Sequence, residues 1–211
     1  MAKQKDYKDS EELIDKDFFP GSSVKAYYAY NKLALTALSY YDTLYESLMP
    51  SAEQMEEYYK TNEATLVSKG FGKDNSNYYD VRHILIEVKS SAEDGKTISD
   101  ADWEKCLADA QKVLDEYLAG DKTEDSFAAL AGKYSVDGGS ASNGGLYEKL
   151  TKGTNFVEPF KNWYLDASRQ VGDTGLVKSD YGYHVMYFCS ATPIWEYEVK
   201  SLVLADNTAK F

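Results

Sequence analysis

Residues 81–88 have the sequence Val81-Arg82-His83-Ile84-Leu85-Ile86-Glu87-Val88, and residues 181–188 have the sequence Tyr181-Gly182-Tyr183-His184-Val185-Met186-Tyr187-Phe188. Both segments are rich in β-branched and aromatic residues, which favours strands. They contain His83 and His184, the two histidines of this 211-residue chain. The sequence therefore predicts two histidine-bearing strands in one domain.

Three further segments lie between the two histidines: a glycine-rich acidic loop, an aromatic pair and a second glycine-containing stretch. They are Tyr134-Ser135-Val136-Asp137-Gly138-Gly139-Ser140-Ala141-Ser142-Asn143-Gly144-Gly145-Leu146, Phe156-Val157-Glu158-Pro159-Phe160 and Gly172-Asp173-Thr174-Gly175-Leu176-Val177. In their order and approximate spacing, the five segments resemble the parvulin family of peptidyl-prolyl isomerases, from about residue 78 to residue 190. The resemblance implies an α+β fold with a small antiparallel sheet surrounded by helices.

The resemblance assigns the catalytic set to His83, Asp137 and His184. In parvulins the first and last strands are neighbours at the sheet centre, so that the two imidazoles hydrogen-bond and form the floor of the site. Asp137 occupies the position at which some parvulins carry a cysteine and many bacterial members carry an aspartate. As an alternative, Asp137 is a simple turn residue before Gly138, and each histidine is a packed, hydrogen-bonded strand residue.

The same resemblance assigns substrate binding to an apolar group and a polar border. Leu146, Phe156 and Phe160 would hold the proline ring, while Ser179 and Tyr181 would border the cleft with a hydroxyl available to the substrate backbone. Ordinary core packing is the alternative for the apolar residues. The implied reaction is rotation about an Xaa–Pro bond, which is slow because its barrier is about 18 to 20 kcal/mol. It needs no covalent intermediate, cofactor or metal.

Two departures from the parvulin pattern concern the loop geometry and the specificity. Residues 147–150, Tyr147-Glu148-Lys149-Leu150, stand where the family commonly has a glycine followed by an aromatic residue, so we expect a different local loop conformation. After the first strand, residues 89–94 offer one lysine among acidic residues instead of the basic cluster of the phosphoserine-directed members. We therefore expect no phosphate selectivity.

The composition excludes several other classes of function. A formal net charge of −12 argues against binding to nucleic acid or to an anionic membrane surface. No stretch approaches the roughly 18 consecutive apolar residues of a membrane-spanning helix. Cys106 and Cys189 lack metal-type spacing, and we expect two separate buried thiols rather than a disulfide. A metal site made of both histidines and Asp137 is disfavoured because no further ligand stands at useful spacing.

The helical patterns divide the chain into three parts. We expect an irregular lead-in over residues 1–20, a long amphipathic helix over 22–48 and a short helix over 51–61 that a Ser51/Gln54 capping box opens. Further helices are predicted over residues 99–120, 123–132 and 157–167 and from about residue 194. The helix over 99–120 has a predicted buried stripe of Trp103, Leu107, Ala110, Leu114 and Tyr117. The predicted parts are a helical N-terminal region at 1–77, an isomerase domain at 78–190 and a C-terminal helical segment at 191–211.

The N-terminal helices resemble the chaperone portions of bacterial extracytoplasmic foldases. Their tyrosines either contact clients or pack the helices together; they are Tyr27, Tyr28, Tyr30, Tyr40, Tyr41, Tyr45, Tyr58 and Tyr59. The expected partners are unfolded or newly exported proline-containing polypeptides. The expected location is the cell surface or the exterior of a bacterium, with the export segment removed, because residues 1–8 lack the apolar core of a signal.

Two hypotheses remain for the function, and the oligomeric state is open. The first is an active prolyl isomerase, which the joint presence of His83, Asp137 and His184 favours. The second is a chaperone or peptide-binding module that uses the same cleft without catalysis.

Overall fold

The computed structural model describes residues 8–18, 20–74, 76–93 and 95–211, and the chain forms two compact units. One unit combines residues 1–61 with residues 199–211, and the other comprises residues 62–198. The predicted division at residues 77 and 190 stays a prediction of domain organisation.

Three helices open the described part of the chain, and strands and further helices follow them. The helices are α1 (Ser10–Leu13), α2 (Val24–Leu48), α3 (Ala52–Ser68), α4 (Asp100–Ala119), α5 (Glu124–Tyr134), α6 (Glu158–Tyr164) and α7 (Ile194–Lys210). The strands are β1 (Asn77–Glu87), β2 (Leu146–Leu150), β3 (Thr174–Ser179) and β4 (Gly182–Pro193). A π-helical turn, Ile14–Phe18, follows α1, and a 3-10 turn, Ala141–Asn143, precedes β2.

The four strands form one antiparallel sheet in the order β2-β1-β4-β3. The two histidine-bearing strands are therefore neighbours at its centre, as the parvulin resemblance implied. The α+β fold with a small antiparallel sheet and an N-terminal helical region is confirmed.

Each face of the sheet has its own apolar core, because successive strand residues point to opposite faces. Ile84, Val185 and Tyr187 pack on one face against α4 and α5. Val81, Met186 and Phe188 pack on the other face; the residues that cover them include Leu150, Phe160, Trp163 and Tyr164. His83 and His184 lie in phase with the second set and share its face.

Helix α4 begins as the sequence predicts and buries Ala110, Leu114 and Tyr117 of the predicted stripe. The Ser99 hydroxyl caps the helix by accepting from the Asp102 backbone N–H, and the Asp102 carboxylate accepts from the Ser99 backbone N–H. The prediction that Leu107 is buried is wrong, since its side chain is 39% exposed. Cys106 is buried in its place, and its thiol donates to the Ile86 carbonyl at 3.1 Å.

Other differences concern the extent and the number of the elements. The predicted irregular lead-in is helical over residues 10–18, because the Asp9 carboxylate accepts from the backbone N–H of Glu12 and caps α1; residues 1–7 and 19 lie outside the described part. Strand β2 was not predicted. Its pairing with β1 contains a bulge near Lys149, which has a positive φ of 54°, so the strand shows no simple alternation.

No residue of α2 is buried. Among the described residues, no helix is both long and apolar enough to cross a membrane. Both cysteines are free thiols, with Cys106 buried and Cys189 partly buried.

Gly145 supports the strand that carries His83, and we expect a side chain there to destabilise the protein. Its φ is +75°, its carbonyl accepts from the His83 backbone N–H at 2.9 Å, and an added Cβ would collide with the His83 carbonyl oxygen. We expect Gly145→Ala to lower the free energy of unfolding by about 3 kcal/mol, as measured by urea denaturation.

Gly132 provides the matched control. It lies in α5 with open space around its Cα, so Gly132→Ala should raise the free energy of unfolding by about 0.5 to 1 kcal/mol. Equal effects of the two substitutions would contradict the structural role of Gly145.

Candidate active site

The sheet register brings the two imidazoles together. His184 pairs with Leu85, two residues beyond His83, so both rings extend from the same face of neighbouring strands. Their Nδ1 atoms are 3.1 Å apart and form a hydrogen bond. The two residues are only 2% and 5% exposed, which keeps this bond out of water.

Asp137 joins the pair through one carboxylate oxygen. Its Oδ2 lies 3.0 Å from His83 Nε2 and accepts hydrogen bonds from the Ser140 hydroxyl at 2.5 Å and the Tyr147 hydroxyl at 2.9 Å. The hydrogen bond with His83 holds the pKa of Asp137 well below its ordinary value; the Ser140 and Tyr147 hydroxyls contribute, and partial burial opposes the shift. The carboxylate is therefore ionised at neutral pH.

An ionised Asp137 fixes the direction of the whole hydrogen-bond chain. In the neutral state of both rings, His83 donates its Nε2 proton toward Asp137, and its Nδ1 must then accept from His184 Nδ1–H. His184 Nε2 is left to accept from the Ser179 hydroxyl at 2.8 Å, and Ser179 Oγ accepts from the Tyr181 backbone N–H. These tautomers are assigned from the hydrogen-bond network. The result is one directed chain from the Tyr181 backbone to the Asp137 carboxylate.

Burial strongly disfavours protonation of His184. Its pKa is lowered from 6.5 to about 4, chiefly by burial and further by the neighbouring His83, while the Asp137 charge opposes the shift. At neutral pH the ring is uncharged, which is the state that the directed chain requires.

The lowered pKa of His184 predicts a loss of stability in mild acid. The unfolded chain takes up this proton near pH 6.5, whereas the folded protein takes it up only near pH 4. The full contribution is therefore present above pH 6.5 and is lost progressively as the pH falls toward 4. We expect a decrease in the free energy of unfolding on the order of 3 kcal/mol, measured by urea titrations across this range. The profile of His184→Gln should be flatter, and identical slopes for both proteins would rule out His184 as the cause.

Aromatic rings line the space in front of the imidazoles. The Phe160 ring meets His83 and His184 edge-on, with centroids 5.2 and 5.4 Å away. Phe156 stacks on Phe160 at 4.8 Å. These rings border a cleft of about 290 Å³; its full lining is His83, Leu85, Asp137, Asn155, Phe156, Val157, Phe160, Tyr181 and His184. The cleft is mainly apolar, with an ionised carboxylate and two imidazoles on one side.

The structure brings seven of the eight predicted site residues to this cleft or its hydrogen-bond chain. Ser179 lies behind the cleft, buried against His184. Tyr181 stands at the rim with 62% of its surface exposed. Leu146 is the exception. It pairs with Arg82 in the sheet register, and this places it on the face opposite the imidazoles.

Two residues of the network were not predicted to have a role in the site. Ser140 is fully buried and contacts both Asp137 and His83 Nε2. Tyr147 pairs with Val81, so its ring reaches the imidazole face and stacks on His83 at 5.5 Å. A side chain at position 139 would collide with the Tyr147 hydroxyl. Glycine at this position therefore leaves room for Tyr147 to contact Asp137. Recognition of β2 as a strand would have indicated which face Tyr147 occupies.

The polar side chains around the cleft are not arranged as a set of metal ligands. The described residues contain no group of three or more His, Cys, Asp or Glu side chains arranged to hold one. The nitrogen atoms of the two imidazoles are instead engaged with each other, with Asp137 and with Ser179.

Comparison with protein families accounts for this arrangement. A model of the PPIC-type PPIase domain matches residues 66–189, more than half of the chain. The chain belongs to the PPIC-type peptidyl-prolyl isomerase family. The parvulin resemblance of the five sequence segments is thereby confirmed, and with it the assignment to the peptidyl-prolyl isomerases.

The curated relatives that this PPIC-type chain matches include foldases. Foldase protein PrsA of Staphylococcus epidermidis is 33% identical over 104 residues, which are 49% of this chain and 30% of the relative. Foldase protein PrsA 1 of Listeria innocua is 27% identical over 142 residues, which are 67% of this chain and 36% of the relative. The chain thus matches about a third of the length of these curated relatives. The crystal structure of PrsA from Bacillus subtilis aligns with a TM-score of 0.42 and 24% identity, covering 95% of this chain and 69% of the other.

Proposed function

We propose that this protein accelerates the folding of exported polypeptides by catalysing cis–trans rotation about their Xaa–Pro bonds. The observation that carries the proposal is the position of Phe160, whose ring stands edge-on against both imidazoles in the apolar cleft. A proline ring placed against Phe156 and Phe160 would bring the preceding peptide bond close to the polar side of the cleft.

The cleft suits this reaction because rotation requires no bond to be made or broken. The planar amide is stabilised by resonance and by water, and the barrier of about 18 to 20 kcal/mol reflects the loss of that resonance. A cleft that withholds water destabilises the polar planar form relative to the twisted form. Only such a difference between the two states accelerates the step.

The polar network keeps the imidazoles in one arrangement while the substrate turns. In this proposal His83, His184 and Asp137 form a fixed polar wall, and the ionised Asp137 sets the direction of its hydrogen bonds. Phe156 and Phe160 hold the proline ring, and Tyr181 at the rim contacts the substrate backbone. Preorganised dipoles of this kind favour the twisted state without reorganising during the reaction.

The names of the relatives support the proposed clients. The matched relatives are called foldases, which supports unfolded, proline-containing polypeptides as substrates. We propose an extracytoplasmic place of action together with these clients. Slow proline isomerisation takes tens to hundreds of seconds without a catalyst and limits the folding of many chains, so a foldase gains from this activity.

NMR exchange spectroscopy on a short unphosphorylated proline peptide tests the activity. We expect the wild-type chain to accelerate the cis-to-trans rate, and Leu107→Ala, which alters a partly exposed side chain on α4, to do so equally. Peptide binding without acceleration would contradict the proposal and would indicate a client-holding module.

A further inference from the structure

The edge of β1 that faces away from β4 is covered only in part. β2 pairs with this edge as far as Arg82, and the loop after α5 continues the cover to Leu85. The Leu85 N–H donates to the Ser135 hydroxyl at 3.1 Å, and the Leu85 carbonyl accepts from the Val136 N–H at 3.1 Å. Glu87, the last residue of the strand, lies beyond this cover and is exposed.

The main chain of Glu87 faces the open edge. The Val88 N–H donates to the Tyr181 carbonyl at 3.1 Å, so these two residues are a hydrogen-bonded pair. Hydrogen-bonded and non-bonded pairs alternate in an antiparallel ladder, so the N–H and C=O of Glu87 point away from β4. In the part of the chain that the structure describes, neither group has a hydrogen-bond partner. The edge therefore offers one donor and one acceptor to an added strand.

A cavity of about 410 Å³ opens beside this edge, between the end of β1, α4 and the end of α5, and we call it the edge pocket. Its apolar lining consists of Ile86, Cys106, Tyr134 and Val136. The Val136 side chain is 51% exposed. The volume lies within the range of about 300 to 1,000 Å³ that is usual for ligand pockets. The edge pocket therefore has room for an apolar side chain of a bound polypeptide.

The charged groups around the edge pocket do not call for a charged ligand. The Asp102 carboxylate accepts from two backbone N–H groups, and Lys105 forms an ion pair with Asp109 at 2.6 Å. Glu87 and Lys89, the remaining charged residues of the lining, have opposite charges. A charged ligand would have to compete with these contacts, whereas an apolar side chain leaves them intact. The pocket therefore favours an apolar occupant.

Adjacent residues line the edge pocket and the cleft that contains the imidazoles. Val136 lines the pocket and Asp137 the cleft, and Ile86 lines the pocket and Leu85 the cleft. Glu87 is about 7 Å from Leu85 along the strand, a distance that two residues of extended chain span. A polypeptide whose proline lies in the cleft can therefore reach the open edge and the pocket with the residues next to that proline.

We propose that the client segment next to the target proline binds as an added strand at Glu87 and places an apolar side chain in the edge pocket. The inference rests on the proposed isomerase function, because the proline in the cleft positions this segment. Side chains of a strand alternate between the two faces of a sheet, so one would point toward the pocket and the next toward the imidazole face. Main-chain hydrogen bonds accept many sequences, and the pocket selects an apolar residue at one position.

Peptides of different length test the inference on the full chain. The short unphosphorylated proline peptide is the reference, and extended peptides carry about four more residues on its N-terminal or its C-terminal side. Each extension contains one isoleucine among serines, placed at each position in turn, and an all-serine extension is the control. We expect one isoleucine position to raise kcat/KM at least about tenfold over the reference. The all-serine extension should raise it less.

Backbone esters in the extended peptide test strand addition without changing the protein. An ester removes one N–H donor and leaves the side chain in place. We expect an ester at the N–H that faces the Glu87 carbonyl to lower kcat/KM about fivefold, while esters at the two neighbouring positions leave it unchanged. Equal effects at all positions, or none at any, would contradict an added strand.

The Glu87 amide reports the edge directly in NMR spectra of the wild type. The extended peptide should shift its resonance and slow its hydrogen exchange at least about tenfold, and the short peptide should do neither. A shift that depends on protein concentration alone would indicate a second copy at this edge and would overturn the proposal. If no peptide is accelerated, the proposed isomerase activity fails, and the amide still reports whether the extended segment binds at Glu87.

A matched pair of variants tests the edge pocket. Val136→Ser should remove most of the gain from the isoleucine extension and leave the rate with the short peptide unchanged. Val171→Ser makes the same substitution at an exposed valine outside the pocket and should keep the full gain. Equal gains in both variants would overturn the proposal, as would the absence of any gain from extension on either side. The rate with the short peptide separately decides the proposed isomerase activity.

Discussion

Phe160→Ala is expected to lower kcat/KM for proline isomerisation about 100-fold. The Phe160 ring is 1% exposed, lies against both imidazoles and stacks on Phe156. If it holds the proline ring, its removal takes away an apolar contact worth about 2 to 3 kcal/mol, which corresponds to a rate factor of about 100. NMR exchange rates at several enzyme concentrations measure the change.

Phe127 provides the control for this substitution. It is also fully buried, but it packs on the opposite face of the sheet against Tyr117 and Tyr187. Loss of either phenyl ring is expected to lower the free energy of unfolding by about 3 to 5 kcal/mol. The milder Phe160→Leu and Phe127→Leu variants keep the comparison valid if an alanine variant unfolds. A similar loss of kcat/KM in the folded variants of both positions would contradict a specific role for Phe160.

Asp137→Ala is expected to reduce activity at least about tenfold and the free energy of unfolding by about 2 to 4 kcal/mol. Its Oδ2 is hydrogen-bonded to His83, Ser140 and Tyr147. His83 and Ser140 are almost inaccessible to water. Removal of the carboxylate leaves buried donors without an acceptor, and each such loss costs about 1 to 3 kcal/mol. The His83 ring also loses the contact that fixes its tautomer. Initial isomerisation rates and urea denaturation measure the two effects.

Asp137→Asn separates the charge from the hydrogen bonds. Its amide oxygen can still accept from the same donors, so the variant should retain most of the stability that Asp137→Ala loses. Any remaining fall in kcat/KM then reports the missing negative charge. Wild-type activity in both variants would show that Asp137 is only a turn residue.

The sequence was sufficient to predict the centre of the fold because the strong signals lie there. β1 and β4 have continuous apolar and β-branched patterns, and the resemblance to parvulins implied that they are neighbours. Once the strands pair, the phase of His83 and His184 follows from the alternation of side chains. The capping residues Ser99 and Thr123 also indicated where α4 and α5 begin.

Local signals failed where tertiary contacts decide the conformation. β2 contains Glu148 and Lys149 at exposed positions and a bulge between its pairs with β1, so no period-two pattern is visible. The register of β2 against β1 places Tyr147 on the face of the imidazoles and Leu146 on the opposite face. On α4, Leu107 fits the helical stripe as well as Cys106 does, and only the sheet beneath selects the thiol.

The position of the two thiols separates the cleft from the redox chemistry of its surroundings. Cys106 hydrogen-bonds the Ile86 carbonyl and Cys189 packs with the α4 and α5 core, so both lie across the sheet from the imidazoles. Burial raises the pKa of Cys189 to about 12 and also raises that of Cys106, which keeps both sulfurs in their unreactive protonated form. The hydrogen-bond network of the cleft contains a carboxylate, Asp137, beside the histidines and no thiol that could be oxidised to a sulfenic acid. The site is chemically suited to an oxidising environment as well as to a reducing one.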